Sequence, residues 1–189
     1  MKITTGGGFD RKGVPTGTHV GILTQIVDLG EQVDIFAEIE GTTKRKLYIT
    51  FEIPSEKLDD GRPMVIGQEV TASLGQKSRL RPYIESLLGR QLSEGDLANP
   101  VETLKSALGK PGFIQVEEVK TAKGSKFSKI KAVVPMPKGT TVETPFNDLV
   151  FIDLDDRNVN DHLSSLPKFI QDKIAASRST PLATDDLGI

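Results

Sequence analysis

Carboxylates, aromatic rings and lysines are the side chains of this chain whose types and spacing could do chemistry. The 189 residues include no cysteine and only two histidines, His19 and His162, which removes disulfides, zinc ribbons and thiol catalysis. Neither histidine stands at metal-ligand spacing from another ligand, so both read as ordinary surface residues. The run "DLDDRNVND" (153–161) offers several carboxylates and amides that a hard cation accepts, but it lacks the spacing and the glycine of a calcium loop. A solvated acidic turn is the simpler reading. "TTGGGFD" has the glycines of a phosphate loop without the following GK[ST], and reads as a flexible arm. The expectation is a chain without enzymatic activity, metal or cofactor.

The binding signals are stronger. Three segments alternate with a period of two, as half-buried strands do. In "VDIFAEIEG", Val33, Ile35, Ala37 and Ile39 alternate with Asp34, Phe36, Glu38 and Glu40. In "RKLYITFEIP", Leu47, Ile49, Phe51 and Ile53 face away from Lys46, Tyr48, Thr50 and Glu52. In "SKFSKIKAVVP", Ile130, Ala132 and Val134 oppose Phe127, Lys129 and Lys131. The polar faces thus set Tyr48 beside Lys46, and Phe127 beside Lys129 and Lys131, with Phe36 as a further ring. A ring is a stacking platform for any base, each contact being worth ~1–3 kcal/mol, while a lysine on the same face reaches the neighbouring phosphate. Single strands suit this arrangement because their bases are free to stack. The alternative is that helices or a second subunit cover the rings. Lys77, Arg79 and Arg81 open a helical segment where the helix dipole favours acids, which hints at a phosphate partner there.

Charge is unevenly placed. The formal net charge is -2, yet residues 105–138 carry eight lysines against two glutamates, and residues 140–165 carry six acids against one arginine. The local field governs binding more than the sum does. The elements that must position these residues are strands and short helices in a definite order. "THVGILTQIVDLG" reads as a strand, and the alternating segments follow it. "QEVTASLG" adds a short strand. "KSRLRPYIESLLG" is a helix with Ser78 as cap, and "NPVETLKSALG" a second one. Strands return at "GFIQVEEVKT" and "SKFSKIKAVVP", joined by the tip "AKGS". "DLVFIDL" is one further strand, and "LPKFIQDKIAAS" a late helix with Phe169, Ile170 and Ile174 on one side. This order predicts a mainly β fold, an OB-fold-like Greek-key barrel with one or two short helices inserted and a C-terminal helix. The expected division is a flexible arm over 1–14, the barrel domain over 15–177 and a disordered acidic tail over 178–189. No apolar run reaches ~20 residues and no apolar signal core opens the chain, so a cytoplasmic protein is expected.

The chain ends "TPLATDDLGI". One reading is a frayed end. The other is a docking peptide in which Asp185 and Asp186 steer toward a basic pocket while Leu187 and Ile189 fill an apolar slot.

The segments "GVPTGTHVGILTQIVDLGEQ", "LYITFEIPSEKLDDGRPMVIGQEVTASLGQKSRLRPYIESLLGRQL", "LKSALGKPGFIQVEE" and "SLPKFIQDKIAAS" resemble a family of single-stranded DNA-binding, replication-associated proteins of tailed phages. The resemblance spans roughly residues 14–178 and rests on "DGRP", "SLGQKSRLR" and "LLGR". These motifs are structural and mark no active site. The chain departs from the family in having no tryptophan near "YIESLLGR", so the resemblance gives that helix no stacking ring. It implies an OB-fold, and an acidic tail with an apolar tip that recruits replication or recombination enzymes. Together these readings predict a sequence-independent single-stranded DNA-binding protein of phage replication or recombination, in the host cytoplasm, as a homodimer or cooperative assembly. Lys46, Tyr48, Phe127, Lys129 and Lys131 come first as DNA contacts, with Phe36, Lys77, Arg79 and Arg81 second. Two rival readings stand beside it. In one, a protein-interaction barrel pairs its basic residues with the acidic 140–165 segment. In the other, a metal-dependent nuclease uses Asp153, Asp155 and Asp156.

Overall fold

The computed structural model describes residues 13–157 and 159–179. The tail residues Asp185, Asp186, Leu187 and Ile189 lie outside them. The elements run β1 (Gly17–Val33), β2 (Thr43–Lys57), β3 (Pro63–Thr71), α1 (Leu80–Leu88), α2 (Glu94–Ala98), α3 (Pro100–Ala107), β4 (Pro111–Lys120), β5 (Lys126–Val134), β6 (Val150–Ile152), α4 (Asn160–Leu163) and α5 (Lys168–Ser179).

The sheet order is β3-β2-β1-β4-β5, all antiparallel, with β6 added parallel to β1. Strand β1 makes this possible. Its register against β2 shifts between Leu23 and Gln25 and again between Asp28 and Gly30, where Gly30 takes a φ of 69° that a side chain would resist. Bulges bend a strand and increase its twist. The first part of β1 therefore pairs with β4, and the rest with β2. The sheet curls until β3 and β5 approach each other, and helices enter between β3 and β4, giving the OB-like barrel that the element order predicts. With its amide turned to satisfy both neighbours, Gln68 of β3 donates to the Ile130 carbonyl of β5 at 3.0 Å.

The barrel core is where the alternation of β2 points. Leu47, Ile49, Phe51 and Ile53 are buried with Ile114, Val116, Ile130 and Val133. Each large apolar side chain removed from water contributes ~1.5–3 kcal/mol. Helix α1 adds Leu80, Tyr83, Ile84 and Leu87 to the same core, and its Ser86 hydroxyl donates to the Val133 carbonyl of β5 at 2.8 Å. The N-cap residue of this helix is Arg79 rather than Ser78, but Ser78, one position ahead, still accepts the Arg81 N–H at 3.2 Å. Val14, placed by the sequence in the flexible arm, is buried in the core, and its carbonyl accepts the Ser128 hydroxyl at 2.7 Å.

A second apolar cluster lies outside the barrel. Val27 and Leu29 of β1, Ile152 of β6, and Val159, Leu166, Ile170 and Ile174 bury one another. Helix α5 thereby covers part of the outer sheet face and continues to Ser179, two residues into the segment read as tail. Among the described residues no helix is long and apolar enough to cross a membrane.

Further expectations need correction. "VDIFAEIEG" is not a strand: β1 ends at Val33, and residues 34–42 form the hairpin tip. The Asp34 carboxylate accepts the Phe36 N–H at 3.2 Å, and the Asp34 N–H donates to the Thr42 carbonyl at 2.8 Å. This Asx turn closes the chain on itself before a ladder can form. In β5 the register slips at Lys131, so Val133 joins Ile130 inside, while Val134 is exposed. Helix α2 was not anticipated, although Ser93 and Asp96 form a capping box at its start.

Candidate nucleic-acid interface

The residues singled out for DNA contact separate into one connected face and several outliers. The face lies outside the barrel where β2, β3 and β5 meet. A shallow cavity of about 310 Å³ is lined there by Tyr48, Gly67, Gln68, Glu69, Arg79, Phe127, Ser128 and Lys129. Tyr48 comes from β2, Phe127 and Lys129 from β5, and Arg79 from the entry to α1. Four residues from three separate stretches of sequence thus surround one space.

Each is held by a local feature. Tyr48 pairs with Glu69 across the β2–β3 ladder, and its ring lies over Gly67. A Cβ at position 67 would stand 2.5 Å from ring carbons Cε1 and Cζ of Tyr48, so only glycine leaves the ring its place. On its other side Tyr48 meets Phe169 of α5 edge to face, with centroids 5.3 Å apart and planes at 73°. Tyr48 is therefore half-buried against the second cluster rather than standing on a solvated strand face. The cause is α5, which docks Ile170 and Ile174 beneath it. Phe127 is open, at 47% of its surface, and Phe169 is similarly open at 43%. Arg79 donates to the Gln68 side-chain oxygen at 2.7 Å, in the same Gln68 orientation that bridges β3 to β5. Lys129 makes no ion pair among the described residues.

The other expected contacts are placed differently. Lys46 is half-buried and donates to Thr71 Oγ1 at 3.0 Å on the same pair of strands. Lys77 is exposed in the turn before α1, and Lys131 is exposed at the β5 bulge. Arg81 is held by Glu85 Oε1 at 3.0 Å and by the Leu74 carbonyl at 3.4 Å, so its guanidinium is already occupied. Phe36 stands on the hairpin tip, away from the cavity lining. Sequence reasoning missed Phe169, which it assigned to the buried side of the helix, and also missed Gly67. The signal for Gly67 was present: an isolated glycine inside a strand marks a close approach.

The acidic segment takes a separate role. Arg45 of β2 gathers Asp28, Asp153 and Asp155, with Asp155 Oδ2 at 2.9 Å and Asp153 Oδ1 at 3.8 Å. Asp28 is buried and also accepts the Gly30 N–H at 2.9 Å and the Leu154 N–H at 3.2 Å. Asp28 first, then Asp155, hold the guanidinium well above the ordinary arginine range. Glu52, buried on the outer side of β2, accepts the Phe146 and Asn147 N–H groups at 2.9 and 2.8 Å and fixes the loop before β6. Asp153 and Asp155 thus serve as anchors. Among the described residues no three His, Asp or Glu side chains are grouped to hold a metal ion.

No family model matches this sequence, and no curated protein proves similar to it.

Proposed function

We propose that the chain binds single-stranded DNA without regard to sequence, across the outer face where β2, β3 and β5 meet. The observation that carries this reading is the shared cavity. It joins an open ring, Phe127, and a half-buried ring, Tyr48, to two cations, Arg79 and Lys129. OB-folds bind oligonucleotides on the face of their second and third strands and with the loops at its ends. Rings spaced along that face stack successive bases, and the cations meet the intervening phosphates. Phe169 extends the row beyond Tyr48. Supporting this, the ion pairs of Asp153 and Asp155 are made with Arg45, and Lys129 makes no ion pair among the described residues.

The resemblance to tailed-phage replication proteins extends the proposal. The protein coats single strands during phage replication or recombination, in the host cytoplasm. Its C-terminal residues Asp185, Asp186, Leu187 and Ile189 recruit the enzymes that work on the strand. It acts by binding alone, with no reaction catalysed.

The test is a titration of fluorescently labelled oligo-dT against duplex of equal length at fixed salt. Tighter binding of the single strand is expected. A log–log salt slope of about -0.7 per phosphate contact should accompany it. Equal or tighter binding of the duplex, or an affinity indifferent to salt, would overturn the reading.

A further inference from the structure

Among the described residues, the most exposed large apolar side chains lie away from the cavity, on the β1–β2 hairpin tip. Ile35, Phe36 and Ile39 are exposed to 81%, 90% and 75%. Apolar side chains clustered in this way mark an interaction site rather than idle surface. The charges beside them narrow the partner. Asp34 is held by Lys44 at 2.6 Å, whereas Glu38 and Glu40 are exposed and make no ion pair among the described residues. An apolar tip ringed by unpaired carboxylates repels nucleic acid and calls for an apolar slot with a cationic rim.

This chain carries such a slot. The cavity between Tyr48, Gly67 and Phe127 is walled by rings and rimmed by Arg79 and Lys129. Its volume of about 310 Å³ admits a phenyl ring, since an apolar cavity of ~150 Å³ already accepts benzene. The tip cannot reach the slot of its own chain. Tyr48 lies five residues along β2 from Thr43, roughly 17 Å at ~3.4 Å per residue. The ladder from Val33↔Thr43 to Val27↔Tyr48 keeps the hairpin extended over that distance.

We infer that the hairpin tip of one copy docks in the β2–β3–β5 cavity of a second copy. Phe36 enters between Tyr48 and Phe127, and Glu38 and Glu40 meet Arg79 and Lys129. Tip and slot are different surfaces, so the contact is head to tail and can propagate along a row of copies. The inference shares its cavity with the proposed DNA face, so a single strand and a neighbour's tip compete for the same rings. Self-association of the free protein is then released when DNA binds, which makes the tip a regulator of that face.

The test is sedimentation equilibrium of the protein without DNA at low salt. The wild-type average mass should rise with protein concentration and fall back as salt is added. Phe36→Ser, which removes the tip, should be monomeric. So should the double variant Phe127→Ser with Lys129→Glu, which removes the slot. Mixed, the two variants should form a discrete one-to-one dimer, because one retains the slot and the other the tip, and the pair has no working end left to extend. All three substitutions are at partly or fully exposed positions, and circular dichroism checks that each variant is folded. A wild-type chain that stays monomeric, an association that Phe36→Ser leaves intact, or a mixture that stays monomeric would each overturn the inference. Sedimentation without DNA reads self-association alone, and the comparison of oligo-dT with duplex reads strand preference, so the DNA reading and the self-docking reading can fail separately.

Discussion

The rings of Tyr48 and Phe169 meet edge to face at 5.3 Å, joining strand β2 to helix α5 at the border of the cavity. An edge-to-face pair is worth ~0.5–1.5 kcal/mol beyond the area it buries. Tyr48→Ala and Phe169→Ala should each lower stability in urea denaturation, and the double mutant should lose less than the two losses added, by about that coupling. Because Phe169 holds the Tyr48 ring in place, Phe169→Ala should also weaken oligo-dT binding. Strictly additive losses would mean that the rings pack independently and that α5 does not position Tyr48.

Phe127 lines the same cavity but is exposed and is not a buried member of either apolar cluster. Phe127→Ala should therefore weaken single-strand binding by ~1–3 kcal/mol while leaving the melting temperature unchanged. A deeply buried phenylalanine behaves in the opposite way, losing ~3–5 kcal/mol of stability on truncation. Melting and binding curves measured on the same preparation decide between the two. A large loss of Tm with unaltered binding would remove Phe127 from the interface.

Gly67→Ala tests the seat of the Tyr48 ring. The added Cβ would lie 2.5 Å from Cε1 and Cζ of that ring, well inside van der Waals contact. The ring must swing away, or β3 must move. Overpacking of this kind costs ~1–3 kcal/mol, so a lower urea midpoint is expected. Binding of oligo-dT should fall with it. If Gly67→Ala retained full stability and affinity, the close approach would have no consequence for the site.

Part of this was legible in the sequence and part was not, for physical reasons. The alternation Leu47, Ile49, Phe51, Ile53 identifies a strand with one buried face because the period of side chains in a strand is two. The pattern says nothing of what covers the other face. Tyr48 looked solvated because the helix that half-covers it arrives from residues 168–179, more than a hundred positions away. The same period misled at Ile35, Phe36 and Ile39, where the Asx turn at Asp34 decides the backbone and no strand exists to give the pattern a face. At Lys131 a single inserted residue exchanged Val133 for Val134 on the inner side, and no residue type announces that slip. Tyr48, Phe127 and Lys129 follow from reading ring-plus-cation faces strand by strand, and Arg79 from the basic start of α1; that they line one cavity follows from the approach of β3 to β5, which no local pattern announces. Phe36 and Arg81 dropped out of the group because a turn placed the first on a separate tip and Glu85 claimed the second.

Glu85 provides a test by pH. Its Oε1 accepts the Leu92 N–H at 3.1 Å and the Arg81 Nε–H at 3.0 Å, and the Leu92 N–H first, then Arg81, hold the carboxyl below the ordinary glutamate range. A carboxylate whose folded value is depressed stabilises the native state at pH values above its unfolded value, ~4.3 for glutamate, and that contribution is lost as pH falls through the lower folded value. Glu85 ties the end of α1 to the chain leading into α2, so the charge reinforces the helical insert that plugs the barrel. Glu85→Gln should therefore be less stable than wild type at neutral pH. The gap should narrow below pH ~4.3 as the wild-type carboxyl takes up its proton. The contact is near the surface, so added salt should shrink the difference at neutral pH as well. Urea midpoints for the two proteins, measured from neutral pH down through the carboxylate range, trace the effect. A stability difference that stayed constant across that range would mean that the glutamine perturbs packing, and that the charge on Glu85 contributes nothing to holding α1 in place.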